Sequence, residues 1–172
     1  GAVKVAKPDE LLELAVKTIA EMKEHPAYQE LSNWGVARSM QMMYDFSFFP
    51  VGYFEDVHWE EIIQNYQGPA YVEKHQIRNM GCFCCPNRCM NFLSVPGIGK
   101  GLTSCEPWSG FTGGIWNLDM DVFWEATLLT NRLGIDCTET SASIGFLMEL
   151  YHEGIITAKD TDGVKMERGN KE

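Results

Sequence analysis

The sequence predicts a mostly α-helical fold that carries one long loop. Two observations predict the helices. Apolar residues recur at a helical period over residues 9–24, and cap and stop signals bound two segments between residues 119 and 154. A third observation predicts the loop, because glycines and prolines recur throughout residues 81–114. No segment shows the regular alternation of a half-buried sheet, and no internal repeat is present, so we expect no extensive sheet.

The N-terminal third predicts three short elements. The first helix spans residues 9–24, has a proline just outside each end, and is expected to pack through one apolar face. The residues of that face are Leu11, Leu12, Ala15, Ile19 and Met22. We predict further short helices over residues 36–44 and 58–66. The aromatic segment between them, residues 46–54, predicts extended chain broken by a proline and a glycine.

Length and composition predict one domain, residues 1–172, with a core of its own. The chain is 45% apolar and carries a formal charge of −10, from 24 acidic and 14 basic residues. That charge disfavours nucleic acid as a partner, because phosphate contacts need clustered lysine and arginine. No apolar run is long enough to predict a membrane span, and we find no signal-peptide pattern. Clustered cysteines without such a pattern predict a reducing, cytoplasmic location.

The most specific motif is a run of three cysteines, Cys82-x-x-Cys85-x-x-x-Cys89. Three thiolates on one short loop suit a metal centre better than a disulfide. Zinc sites usually bring their ligands as two separated pairs, so the crowding here favours a 4Fe–4S cluster over zinc. Cys84 lies between the first two ligands and is predicted to be a spectator.

Both kinds of centre take four ligands, and the motif supplies three. The fourth could be Cys105, Cys137 or a residue that lies outside this chain. Each of these two isolated cysteines is, on its own, more typical of a small buried apolar residue than of a ligand. The residues therefore leave the fourth ligand open.

A second motif is the turn between the two late helices, residues 131–138. In the structural interpretation, Gly134 ends the first helix in left-handed conformation and Asp136 caps the second. In the functional interpretation, the turn presents backbone N–H groups and short polar side chains to a phosphate or a heterocycle. The residues alone are compatible with both.

Taken in order, the two motifs resemble those of the aldehyde ferredoxin oxidoreductase family. The members of this family are tungsten- or molybdenum-pterin enzymes. In that family a CxxCxxxC loop supplies three ligands of a 4Fe–4S cluster, and a D-x-x-G-L-D turn contacts the pterin. Here the cysteines are followed about fifty residues later by Asn131-x-x-Gly134-Ile135-Asp136. The similarity continues over residues 125–157, and residues 1–10 resemble the segment that leaves the family's N-terminal β-rich domain. The resemblance implies the helical central domain of a larger enzyme.

The resemblance also implies roles for individual residues. The three cluster ligands would be Cys82, Cys85 and Cys89. The pterin contacts would be Asn131, Gly134, Ile135 and Asp136, within a helix–turn–helix over residues 119–154. Glu106 falls where the family has an acidic stretch close to the metal, which implies a part in proton transfer. The family's fourth cluster cysteine belongs to a motif far downstream, outside this chain.

Three positions depart from the family pattern. Asn131 stands in place of the usual first aspartate, which removes a charge but keeps a hydrogen-bonding side chain. Leu128 follows Glu125 where some members have a histidine that binds a metal between two subunits. A leucine cannot ligate, so we expect no such bridging metal here. Cys137 stands where threonine is common.

The implied function is that of a part of an oxidoreductase acting on aldehyde or related carbonyl substrates. Its cofactors would be a tungsten- or molybdenum-bis-pterin and the 4Fe–4S cluster. Its partners would be the remaining N- and C-terminal domains, a ferredoxin or iron–sulfur electron-transfer subunit, and a second copy in a homodimer. This chain alone is expected to be inactive. The alternative is a non-catalytic interaction domain that binds zinc or an iron–sulfur cluster.

Overall fold

The computed structural model describes residues 3–171, and helices are the main regular structure of that part of the chain. Gly1 and Ala2, which begin the segment compared with the family's domain boundary, and Glu172 lie outside it. The α-helices are α1 (Pro8–Glu24), α2 (Pro26–Trp34), α3 (Met40–Asp45), α4 (Glu60–Asn65), α5 (Gly68–His75), α6 (Cys105–Gly110), α7 (Met120–Leu133) and α8 (Cys137–His152). Short 3-10 turns cover Gly35–Arg38 and Gly113–Ile115. None of the helices described is both long and apolar enough to cross a membrane.

A small sheet that the sequence did not predict lies in the middle of the chain. It consists of β1 (Gln76–Met80), β2 (Met90–Val95) and β3 (Gly99–Thr103), in that order and antiparallel throughout. The prediction that residues 81–114 form one long loop is therefore wrong beyond residue 89, where β2, β3 and α6 follow. Strand signals are weak here because the strands are short and β3 contains two glycines, which strands usually avoid.

The N-terminal third differs from its predicted conformation at several points. The predicted helix over residues 9–24 is confirmed as α1, but none of its residues is buried among those the structure describes. The helices α2 and α5 were missed. Residues 46–47 and 52–54 form turns rather than extended chain, with left-handed backbone at Ser47, Tyr53 and Phe54, and between them Val51 pairs with Asp56 in an isolated β-bridge. These conformations of non-glycine residues are uncommon, and periodicity cannot predict them.

Aromatic side chains from distant segments build the core. The rings of Trp108 and Phe123 stack with their centroids 4.3 Å apart, and both side chains are fully buried. Trp124 is also fully buried, and its indole N–H donates to the carbonyl oxygen of Gly99 at 3.1 Å. This packing fixes α7 against α6 on one side and against β3 on the other.

The helices α7 and α8 begin and end on specific caps. The carboxylate of Asp119 accepts hydrogen bonds from the backbone N–H groups of Asp121 and Val122, as expected of an N-cap. Gly134 ends α7 with φ of 67°, and Asp136 caps α8 by accepting from the N–H of Glu139 at 2.9 Å. The helix α8 starts at Cys137, directly after this cap.

Candidate functional site

The cysteine loop, residues 81–89, connects β1 to β2. Its two ends meet because Met80 pairs with Met90 across the antiparallel ladder. Inside it, the N–H of Cys85 donates to the carbonyl oxygen of Cys82 at 3.0 Å, and Cys84 adopts left-handed backbone with φ of 58°. The loop thus folds back tightly between the first two cysteines of the motif.

The helix α2 and the turn after it hold the far side of the cysteine loop. The hydroxyl of Tyr28 donates to the carbonyl oxygen of Pro86 at 3.1 Å, and that of Ser32 donates to the carbonyl oxygen of Asn87 at 3.0 Å. Gly35 then passes so close to the loop that a Cβ there would collide with the carbonyl oxygen of Cys89. The backbone of the loop is therefore held shortly before its last cysteine and at that cysteine itself.

The thiols of the loop are free and accessible to different degrees. Cys82 and Cys84 are exposed, whereas Cys85 and Cys89 are half-buried. Partial burial raises the pKa of Cys89, and the neighbouring Cys85 and Cys82 raise it further. Within residues 3–171, no three histidine, cysteine or acidic side chains are grouped so as to hold a metal ion. The donor types suit an iron–sulfur cluster or zinc, but their sulfurs are not gathered around one point.

Glu106 lies in the first turn of α6, beside the cysteine loop. Its carboxylate accepts hydrogen bonds from the hydroxyl of Ser104 and, at 3.0 Å, from the thiol of Cys105. Partial burial acts to raise the pKa of Glu106, but these two hydrogen bonds and the backbone lower it below its ordinary value. At neutral pH this side chain is a carboxylate.

Cys105 is a poor thiolate in this arrangement. Partial burial, its hydrogen bond to Glu106 and the charge of that carboxylate raise the pKa of Cys105 to about 11. Its proton is shared with Glu106 rather than released. As the structure stands, Cys105 is therefore less suited to ligate a metal than the loop cysteines.

The turn between α7 and α8 contains the four residues predicted to contact a pterin. Gly134 and Asp136 have the conformations of the structural interpretation, and Ile135 is about half exposed, at 48%. The side-chain amide of Asn131 donates to the carbonyl oxygen of Leu102 in β3 at 3.0 Å. An aspartate at this position could not make that bond, because a carboxylate only accepts. Asn131, which departs from the family pattern, thus joins α7 to the sheet.

Two acceptor atoms of this turn have no partner among the described residues. The Oδ1 atom of Asn131 is free, because its bond to β3 uses the amide nitrogen. The Oδ2 atom of Asp136 is free, because the cap of α8 uses the other oxygen. A heterocycle with N–H donors would complement two such acceptors. The chemistry of the turn therefore fits a pterin, although capping and packing explain much of its conformation.

The cysteine loop, Glu106 in α6 and the α7–α8 turn lie side by side. The charge of Glu106 acts on the thiols of Cys89, Cys105 and Cys137, which come from the cysteine loop, α6 and α8. A cleft of about 500 Å³ adjoins them and is lined by Asn131, Cys137 and Ser104, among others. Two basic residues of the cleft, Lys100 and Arg132, were missed from the sequence. The glycines on both sides of Lys100 could have indicated a close backbone approach there.

Comparisons with known proteins identify the family of the chain. A family model described as aldehyde ferredoxin oxidoreductase, domains 2 and 3, matches residues 13–172. The chain is 27% identical over 146 residues to the tungsten-containing aldehyde ferredoxin oxidoreductase of Pyrococcus furiosus, covering 83% of this chain and 24% of that relative. The chain thus spans about a quarter of the length of this curated relative.

The chain is also similar in fold to a solved structure. It is the active-site complex BamBC of benzoyl coenzyme A reductase with 1,5-dienoyl-CoA. The match has a TM-score of 0.52 and 22% identity, and it covers 86% of this chain and 21% of that one. At this identity the likeness supports the fold alone.

Proposed function

Because the chain belongs to the aldehyde ferredoxin oxidoreductase family, we propose that it is the central part of an oxidoreductase that acts on aldehyde or related carbonyl substrates. The observation that carries the proposal is the placement of the cysteine loop, Glu106 and the α7–α8 turn beside one another. Since the chain spans about a quarter of its curated relative, further domains would complete the active site.

The cysteine loop would hold a 4Fe–4S cluster through Cys82, Cys85 and Cys89, and the α7–α8 turn would contact a tungsten- or molybdenum-bis-pterin. When bound, the metal supplies two-electron chemistry at the carbonyl carbon and the cluster accepts electrons one at a time. The chain's own part is to fix these groups near each other. The anchoring of the cysteine loop to α2 and the clamping of α7 to β3 both serve that end.

The middle of the turn, residues 134–136, would act through its backbone and one carboxylate. Gly134 adopts the left-handed conformation that ends α7 and turns the chain toward α8, and it places no side chain at the turn. Ile135 would cover the heterocycle with an apolar surface, since about half of it is exposed. Asn131 and Asp136 would accept hydrogen bonds from the pterin through their free oxygens.

Glu106 would move a proton between substrate and solvent. Its lowered pKa makes it a proton acceptor at neutral pH, and its two oxygens are already oriented by Ser104 and Cys105. A proton taken up at either oxygen would compete with one of these hydrogen bonds, which favours its release again. Glu106 is thus suited to bind a proton transiently rather than permanently.

The remaining expectations concern partners and location. We propose a ferredoxin or an iron–sulfur subunit as the electron acceptor, because electrons leaving a cluster singly need a one-electron partner. A homodimer and a cytoplasmic location stay predictions from the sequence. Leu128, whose side chain is buried, supplies no ligand for a metal between two subunits.

The test is metal analysis of the protein purified and reconstituted anaerobically. We expect iron and acid-labile sulfide in a ratio of about 1:1, with the broad visible absorption of an iron–sulfur chromophore. Zinc bound stoichiometrically, with neither sulfide nor visible absorption, would show that the chain is a zinc-binding module instead. Apo protein should regain the chromophore only when both iron and sulfide are supplied.

A further inference from the structure

Three glycines from three different elements make room for the side chain of Tyr53. A Cβ at Gly114, in the second 3-10 turn, would lie 2.8 Å from Cε2 of the ring. A Cβ at Gly145, in α8, would lie 3.1 Å from Cδ2, and one at Gly110, at the end of α6, would lie 3.2 Å from the hydroxyl oxygen. These three glycines form a slot, the glycine slot, that wedges the ring of Tyr53 between α6, the 3-10 turn and α8.

The hydroxyl of Tyr53 reaches the first turn of α8. It donates to the carbonyl oxygen of Thr138 at 2.9 Å and also contacts Oγ of Ser141, which is fully buried. The hydroxyl of Ser141 donates in turn to the carbonyl oxygen of Cys137 at 2.7 Å. Burial raises the pKa of Tyr53 above its ordinary value of 10.0, so this hydroxyl keeps its proton at neutral pH. The first turn of α8 is therefore held from a distant segment of the chain.

The backbone around Tyr53 is held in place as well. The N–H of Gly52 donates to the carbonyl oxygen of Gly113 at 3.0 Å, and Val51 pairs with Asp56 in the isolated β-bridge. Tyr53 itself has left-handed backbone, with φ of 55°. A residue with a side chain keeps such a conformation only where the surrounding contacts determine it. The approach of Tyr53 to α8 is thus built into the fold.

The first turn of α8 also borders the candidate site. Asp136 caps the helix and is one of the residues proposed to contact the pterin, and Cys137 directly after it lines the cleft of about 500 Å³. Tyr53 does not line this cleft. It reaches the site from behind, directly through Thr138 and indirectly through Ser141.

We propose that Tyr53 is a positioning residue whose hydroxyl holds the first turn of α8, and with it Asp136 and Cys137, at the edge of the cleft. The glycine slot places the ring, and the hydroxyl does the holding. Without the hydroxyl the chain stays folded, but the turn opens more often and the cap and the thiol lose their fixed positions. The consequence for a bound cofactor rests on the proposed function, whereas the holding of the turn does not.

The experiment is amide hydrogen exchange, followed by NMR, of the chain and of Tyr53→Phe. The variant keeps the ring that fills the glycine slot and removes only the hydroxyl. The N–H groups of Glu139 and Thr140, which donate to Asp136, should exchange about three- to tenfold faster, as expected for the loss of one hydrogen bond. The N–H of Met148, farther along α8, should be unchanged. A residue that served overall stability alone would speed the slowest amides of every helix by one common factor.

Alkylation by iodoacetamide, measured for each cysteine by peptide mass spectrometry, gives an independent readout at the cleft. The half-buried thiol of Cys137 should react about threefold faster or more in Tyr53→Phe, because the opened turn exposes it. The exposed thiol of Cys84 in the cysteine loop should react at the same rate in both proteins. A contribution to overall stability alone would leave both rates unchanged under native conditions.

The matched control is Tyr71→Phe. The hydroxyl of Tyr71 donates to Oδ1 of Asp121 in the first turn of α7 at 3.0 Å, so this variant removes the same kind of bond from a different helix. It should leave the exchange of Glu139 and Thr140 and the alkylation of Cys137 unchanged.

Unchanged exchange of Glu139 and Thr140 in Tyr53→Phe, or an equal increase in all helices, would overturn the proposal. So would an unchanged alkylation rate of Cys137. This failure is distinct from failure of the proposed function. A chain that binds iron and sulfide but shows no local effect of Tyr53→Phe refutes only the positioning role. A chain that shows the local effect but binds only zinc at its cysteines refutes only the cluster.

Discussion

Gly35 shows how one residue positions the cysteine loop from outside it. Its backbone has φ of 60° and ψ of −149°, a conformation that residues with a side chain rarely adopt, and a Cβ there would also lie 2.7 Å from Oδ1 of Asn91. The side chain of Asn91 is fully buried, and its amide nitrogen donates to Oε1 of Gln76 in β1 at 2.7 Å. Any side chain at Gly35 would therefore push on the last cysteine of the loop and on the sheet together.

Gly35→Ala should destabilise the chain by about 3 kcal/mol or more, because it adds a steric clash with backbone to the strain of positive φ. The matched control is Gly154→Ala. Gly154 has a similar φ of 69°, and a Cβ there would meet no atom within 4 Å, so only the strain, about 1 kcal/mol, should remain. Chemical denaturation measures both. Equal losses in the two variants would contradict the close approach of Gly35 to Cys89.

Asp119 combines a helix cap with an ion pair. Its carboxylate caps α7 and also accepts a hydrogen bond from the ammonium group of Lys171 at 2.6 Å. Lys171 and the backbone N–H groups of α7 lower the pKa of Asp119 below its ordinary value of 3.8. A carboxyl whose pKa is lower in the folded state stabilises the fold above its ordinary pKa. That stabilisation is lost as the pH falls through the lower, folded-state value.

Asp119→Asn keeps an oxygen for the cap but removes the charge that pairs with Lys171. We expect a loss of about 0.5 kcal/mol at pH 7, since both side chains are partly exposed and screened. The difference between the variant and the natural chain should persist down to about pH 4 and vanish below the lowered pKa of Asp119. Urea unfolding across this range measures it. A difference that grows as the pH falls would contradict the assigned sign.

At the scale of elements, helices with strong local signals could be predicted, and elements fixed by packing could not. Apolar periodicity predicted α1, and a cap at Asp119 or Asp121, together with those at Gly134 and Asp136, predicted α7 and α8, because these signals act within a few residues. The strands β2 and β3 were missed because a glycine-rich hairpin is stabilised by its contact with α7, which lies far along the chain. The cleft lined by Gly101 and Leu128 depends on the same contact.

The position of helix α1 could be predicted from the sequence, but the exposure of its apolar side chains could not. It is amphipathic, yet Leu11, Leu12, Leu14 and Val16 are each more than half exposed. Periodicity predicts which face of a helix is apolar, but not what covers it. Within the part of the chain that the structure describes, α1 therefore contributes little buried apolar area to stability.

Leu12→Ala should change the free energy of unfolding by less than about 0.5 kcal/mol, because its side chain is 64% exposed. Leu93→Ala is the matched comparison in β2, where the side chain is fully buried, and it should cost about 2–5 kcal/mol. Thermal and denaturant unfolding of both variants give the two values. A loss at Leu12 comparable to that at Leu93 would mean that α1 packs far more tightly than its exposure indicates.

At the scale of the whole molecule, the chain brings the parts of the proposed oxidoreductase site together. The cysteine loop supplies three thiols, Glu106 a carboxylate and the α7–α8 turn two free acceptors. The placement of these parts in one region follows from the aromatic core, which packs α6 and α7 together. The family could be predicted from two short motifs, whereas the mutual placement of their residues required the fold.

The most direct test of the central claim compares two adjacent cysteines of the loop. In protein reconstituted anaerobically with iron and sulfide, Cys85→Ser should lose most of the bound iron, because a cluster needs that thiolate. Cys84→Ser, which removes a thiol from the same tight turn, should keep iron and sulfide near the level of the natural chain. Equal loss of iron in the two variants, or no loss in either, would contradict a cluster held by Cys82, Cys85 and Cys89.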